Sequence, residues 1–227
     1  MNDRHFCSCI HRQAEALANQ KAALLNECKW PVGSVITIQF LAGSPQLRQR
    51  VRKVAGEWTR LANLDFDFRE AGDTDVRIAF QPGNGSWSYL GTQCRTIAQD
   101  QPTMNFGWLD DTSDDGELRR VVLHEFGHAL GLIHEHQNPI KPIRWNRDAV
   151  IRDLSGPPNN WDLATIENNL FKKYEQLAVT GTAVDPTSIM MYPIPRAWTV
   201  DGEVSADFNR DLSATDRQFI AEAYPQM

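Results

Sequence analysis

The sequence predicts an α+β fold: a mixed, twisted N-terminal sheet with two long helices, a cleft, and a mostly irregular or helical C-terminal lobe. Three observations predict it. Between residues 34 and 80, short β-branched or alternating runs stand on either side of an amphipathic helix. A second helix carries the stretch His124-Glu125-Phe126-Gly127-His128-Ala129-Leu130-Gly131-Leu132-Ile133-His134 and can stop at its last glycine. Beyond that stretch come short capped helices separated by Pro, Gly and Asn.

The elements follow in order. Residues 11–28 are rich in Ala, Leu, Gln and Glu and read as a helix, which the Trp-Pro-Val-Gly run at 30–33 breaks. The run 34–41 is the first core strand. Ser44 caps the next helix, with Pro45 in its first turn, and Leu47, Val51, Val54, Trp58 and Leu61 form one apolar face. Leu64, Phe66 and Phe68, then Val76, Ile78 and Phe80, alternate as half-buried strands do. Residues 86–91 and 94–98 read as short strands. Asp114 is the expected N-cap of the second long helix, with Glu117 as its capping-box partner.

In the second half, Asn146 caps a short helix, 161–174 reads as another, and 200–204 reads as a hairpin around Asp201-Gly202. Ser213 caps a final helix over 214–223. The expected division is an N-terminal extension or propeptide-like segment, residues 1–28, and one main domain, 29–227, with lobes at about 29–131 and 132–227.

Composition narrows the function. With 227 residues the chain buries a core without needing disulfides. Its net charge is −6 with no basic stripe, which argues against nucleic acid. No apolar run approaches the ~20 residues of a membrane span. Cys7, Cys9, Cys28 and Cys94 permit two disulfides in three pairings. The first ten residues hold no apolar signal core.

The chemistry lies in the eleven-residue stretch. On a helix His124 and His128 share a face, about 40° apart and one turn up, so both rings reach one ion. A straight helix would point His134 elsewhere; Gly131 tolerates positive φ and lets the chain turn back. Three imidazoles with one position left open make a catalytic zinc site. Neutral rings leave the ion its full charge, which lowers the pKa of bound water toward ~7. Glu125 then takes the water proton and passes it to a leaving amine.

The stretch fits H-E-x-x-H-x-x-G-x-x-H, and with Ser188-Ile189-Met190-Met191-Tyr192-Pro193 it resembles the metzincin clan of zinc endopeptidases. His134-Glu135-His136 looks like the astacins, while the motif up to Leu132 and Met-Tyr-Pro also read like matrixins. The resemblance implies a zincin fold, hydrolysis of peptide bonds, and a methionine turn beneath the metal. The turn methionine is Met190 in the astacin-like register, preferred for its long span from His134, or Met191 in the matrixin-like one. Tyr192 would then approach the metal, ligating it at rest or hydrogen-bonding the oxyanion; a buried tyrosine with its hydroxyl satisfied elsewhere is the competing reading. The resemblance also implies that residues 103–108 form the cleft's upper edge, where an extended protein or peptide substrate pairs by β-augmentation; an ordinary inner strand is the competing reading.

The remaining residues divide between a functional and a plain role. Asp110, Asp111, Asp114 and Asp115 offer carboxylates for calcium, but no EF-hand pattern is present and helix capping is the preferred reading. Glu135 is read as structural; in astacins a glutamate here helps hold the trimmed N-terminus. His136 is surplus to the site and read as exposed or hydrogen-bonded. Cys7 or Cys9 could latch the zinc, against a disulfide or a loose tail. A monomer is expected, without a membrane, secreted rather than cytoplasmic. The competing functions are a non-catalytic binding domain on the same scaffold and a narrowly specific processing protease.

Overall fold

The computed structural model describes residues 8–10, 24–138, 142–157, 159–172, 179–180 and 184–226. A six-stranded sheet runs in the order β1-β6-β7-β5-β3-β4. Its strands are β1 (Ser8–Ile10), β3 (Val35–Phe40), β4 (Asp65–Arg69), β5 (Val76–Ala79), β6 (Ser86–Tyr89) and β7 (Met104–Phe106). All neighbours pair in parallel except β6 with β7, which makes the sheet mixed. A separate antiparallel pair joins β2 (Leu24–Leu25) to β8 (Val179–Thr180).

Two helices pack on the sheet. In α1 (Pro45–Thr59), Ser44 accepts from the Leu47 N–H, and Leu47, Val51, Ala55 and Trp58 are buried. The Trp58 indole N–H donates to the Leu123 carbonyl and so bolts α1 to α2 (Asp115–Ala129). Asp114 caps α2 by accepting from the Glu117 N–H. The capping box is not made, because the Glu117 carboxylate is drawn instead to Arg120 and the Trp108 indole. α2 is buried on every side from Val121 to its end at Ala129.

The second lobe is built of short pieces. α3 (Arg147–Leu154) is capped by Asn146, and α4 (Leu163–Ile166) by Asp162. The helix expected over 161–174 is interrupted: α4 opens into a wide π turn, Glu167–Phe171, closed by the Lys172 N–H on the Glu167 carbonyl. The final helix, α5 (Ala214–Ala223), has the full capping box of Ser213 and Asp216. α5 packs back on the first lobe: Ile220 and Tyr224 join its core cluster, and the Tyr224 hydroxyl donates to the Leu130 carbonyl. A second, smaller core gathers Val150, Leu154, Ile166, Leu170, Met191, Tyr192 and Ile194.

Several expectations need correction. The 103–108 run is not the sheet edge: β7 is an inner strand, fully buried between β6 and β5. The outer strand beside it is β6, and β1 covers β6 in turn, with Cys9 opposite Ser88. Residues 91–96 form a 3-10 turn, not a strand. Gly91 sits at φ +44 so close to the Cys28 carbonyl that a Cβ would collide with it. Asp201 and Gly202 take the two positive φ values of the expected turn. The flanking residues pair elsewhere, however: Thr199 bridges Trp145, and Ile194 bridges Ala206. Of the helix expected over 11–28, residues 11–23 lie outside the described residues, and the rest are β2 and a 3-10 turn, Asn26–Cys28.

Candidate active site

The site begins where α2 ends. Leu130 is the C-cap and Gly131 follows at φ +96. The Gly131 N–H bonds the His128 carbonyl and the Leu132 N–H reaches the Gly127 carbonyl, the paired bonds of a Schellman turn. The turn reverses the chain and brings His134 back over the helix. His124, His128 and His134 are all buried, and their ligand atoms lie within 4.8 Å of one another.

Backbone carbonyls set the tautomers. The His124 Nδ1 bonds the Ile189 carbonyl at 2.8 Å and the His128 Nδ1 bonds the Leu132 carbonyl at 2.7 Å. A carbonyl can only accept, so each Nδ1 carries the proton and each Nε2 presents a lone pair. The His124 Nε2 is buried and has no protein partner. The Nε2 atoms of His128 and His134 stand 3.2 Å apart. Two nitrogens bound ~2.0–2.1 Å from one tetrahedral ion would stand about 3.3–3.4 Å apart, so the rings fit zinc. Burial, the leading cause, holds the protonation of His124 and His134 well below the ordinary imidazole range and brings His128 to about 4. The rings are therefore neutral at pH 7, as metal ligands must be.

The segment 188–192 lies beneath the helix. The Asp216 carboxylate accepts from the Ser188 hydroxyl and the Ile189 N–H, while also capping α5. It thereby holds the Ile189 carbonyl against His124. Met190 belongs to the first core and Met191 to the second. The sulfur of Met190 lies where a side chain on Gly127 would be. Met190 is thus the methionine under the helix, in the preferred register. The Tyr192 ring is buried against His134, centroids 4.3 Å apart, and 6.3 Å from His124.

Glu125 is fully buried on α2. Glu135 is buried too, and desolvation, opposed by bonds from the Asp185 N–H and Asn138, pushes its carboxyl up to about 7. Its place is structural: it ties the chain after His134 to the loop ahead of the methionine turn. The acidic residues before α2 are occupied. Asp110 accepts from Thr112 and Ser113, Asp111 from Ser44, Asp114 caps, and Asp115 pairs with Arg50. Asp114 alone of the four caps the helix, and among the described residues the three histidines are the only cluster suited to a metal. Sequence reasoning missed Asp216 as a support of the site, although the Ser-x-x-Asp box at 213–216 signalled a fixed carboxylate. It also undervalued His136, which is buried.

The family model for the Astacin peptidases matches residues 25–203. The chain belongs to the astacin family. Its fold is the α+β zincin fold of the metzincins, its metal is zinc, and the domain is that of a zinc metalloendopeptidase acting on proteins. The solved structure of myroilysin is 46% identical and superposes with a TM-score of 0.87, covering 90% of this chain and 98% of that one. Zinc metalloproteinase nas-30 of Caenorhabditis elegans is 25% identical over 161 residues, 70% of this chain and 18% of that protein. Matrix metalloproteinase-19 of Homo sapiens is 31% identical over 97 residues, 38% of this chain and 19% of that protein, in keeping with the matrixin-like wording of the motif. The chain thus spans less than a third of the length of these curated relatives.

The Gly127–Met190 contact gives a test. Alanine favours a helix over glycine by about 1 kcal/mol, but forcing a methyl into a packed site costs about 1–3 kcal/mol. Gly127→Ala is expected to lower stability in urea unfolding by up to ~2 kcal/mol. Adding Met190→Ala removes the collision, so the double variant should lose less than the sum of the singles.

Proposed function

We propose that this astacin-family domain cleaves internal peptide bonds of protein substrates, with zinc held by the Nε2 atoms of His124, His128 and His134. The convergence of those three rings, two of them oriented by backbone carbonyls, carries the reading. Zinc, when bound, supplies a Lewis acid that acidifies water and polarises the scissile carbonyl. Glu125, next to the first ligand, takes the proton of the attacking water and delivers it to the departing amine. Tyr192, packed on His134, donates its hydroxyl hydrogen bond to the oxyanion as charge develops there. The non-catalytic alternative gains no support, since the base and all three ligands are present and buried together.

The substrate is proposed to bind extended along the outer edge of β6, not along residues 103–108. Parallel pairing of β1 at that edge supports this, because an edge that accepts one extended segment accepts another. The N-terminal extension, residues 1–28, would then cover the cleft until it is removed. Leu24 and Cys28 are buried, and Leu24 bridges Leu132, which favours leaving the last residues of the extension with the core. Cys7 lies outside the described residues and Cys9 is described by its backbone alone, so the zinc latch remains part of this proposal. Action as a monomer outside the cell, away from nucleic acid, completes it; no helix among the described residues is long and apolar enough to cross a membrane.

Three measurements test these roles. Peptide hydrolysis should vanish with a zinc chelator and return with added zinc, while Glu125→Gln should retain the metal and lose at least ~100-fold in kcat; a chelator-resistant rate would refute the zinc reading. Tyr192→Phe should lower kcat by about 10–100-fold with zinc affinity unchanged, and an unaltered kcat would remove the phenol from the mechanism. Deleting residues 1–23 should raise kcat/KM; equal activity of the two chains would deny the segment an inhibitory role.

A further inference from the structure

His136 lies two residues beyond the third ligand and is 1% exposed. Its Nε2 bonds the Asn169 carbonyl at 2.7 Å, so that nitrogen carries the proton. The wide turn Glu167–Phe171 supplies the acceptor. The next side chain, Gln137, donates to the neighbouring carbonyl of Asn168 at 2.9 Å. Two successive side chains of the motif's tail are thus pinned to two successive carbonyls of the π turn.

The pinned ring is the middle of an aromatic stack. Its centroid lies 4.6 Å from Tyr192 at an interplanar angle of 32°, and 5.2 Å from His134 at 22°. Behind it, Trp145 meets it edge-on at 6.0 Å and itself leans on Phe171. The Arg147 guanidinium caps the far end, 3.9 Å from the Phe171 centroid. The bond to Asn169 and the packing of Trp145 orient the His136 ring, and that ring offers Tyr192 a face to rest on.

We propose that His136 is a positioning residue that holds the Tyr192 ring, and with it the phenol hydroxyl, at the angle from which it meets the oxyanion. This rests on the reading of Tyr192 given above. It assigns His136 no contact with substrate or metal.

The test is a double-variant cycle on the zinc-loaded chain. His136→Ala should lower kcat about tenfold with KM nearly unchanged, since a small misplacement of a catalytic group is enough to slow the reaction. Affinity for a phosphinic peptide, a mimic of the tetrahedral intermediate, should fall by the same factor, while zinc affinity by chelator competition holds. In a Tyr192→Phe background, His136→Ala should cost nothing more. His136→Phe, which keeps the ring and loses the Asn169 bond, should recover part of the loss; it carries the same cycle should the alanine variant fail to fold. A full tenfold loss again in the Tyr192→Phe background, or an equal fall in zinc affinity, would overturn the proposal and leave the Tyr192 reading intact. An unaltered kcat in Tyr192→Phe alone would end both.

Discussion

The hydrogen bond from His124 to the Ile189 carbonyl is the constraint on which the site depends. It joins the helix of the first lobe to the methionine turn of the second. It also fixes Nε2 as the nitrogen of His124 that presents a lone pair. Its strength comes from the other side of Ile189, whose N–H is taken by the Asp216 carboxylate. Asp216 in turn is held by the Ser213 N–H and the Ser188 hydroxyl. A ring, a peptide unit and a carboxylate thus form one chain of bonds across the lobe boundary. Burial of all three means that loss of one partner would leave another unsatisfied, a costlier event than the loss of an exposed bond.

Much of this was legible in the sequence because the signals are local. Ser44, Asp114, Asn146 and Ser213 each cap the helix expected of them. The alternation at 64–68 and 76–80 located β4 and β5, and the glycine at 131 marked the reversal that brings in the third ligand. The three histidines needed only helical geometry and one turn. What failed was non-local. The order of strands in a sheet is not written in any one strand, and β7 reads the same whether it lies inside or at the edge. The π turn was hidden for a related reason. An Ile-Glu-Asn-Asn-Leu run has no local mark for a widened turn, which is supported by His136 and Gln137 from thirty residues away.

Both glutamates of the motif are buried, and position, not burial, separates their roles. Glu125 is fully enclosed on the helix beside the ligands, while Glu135 is committed to the backbone at 185 and to Asn138. The second is engaged in shaping the chain, and the same bonds that fix it make it unavailable to water at the metal. The two core clusters divide along the same line. Met190 fills the floor under α2, and Met191, one residue on, faces the other way into the second lobe. Adjacent residues of one turn therefore serve two interiors.

The packing of α5 on the first lobe has a consequence for synthesis. Strands, zinc helix and third histidine all leave the ribosome before residue 213, yet the carboxylate that steadies Ile189 and the tyrosine that bonds Leu130 belong to the last helix. A nascent chain halted short of that helix holds its three histidines without the brace beneath them. A chain that has not yet made α5 therefore lacks the carboxylate that steadies Ile189 and the phenol that bonds Leu130.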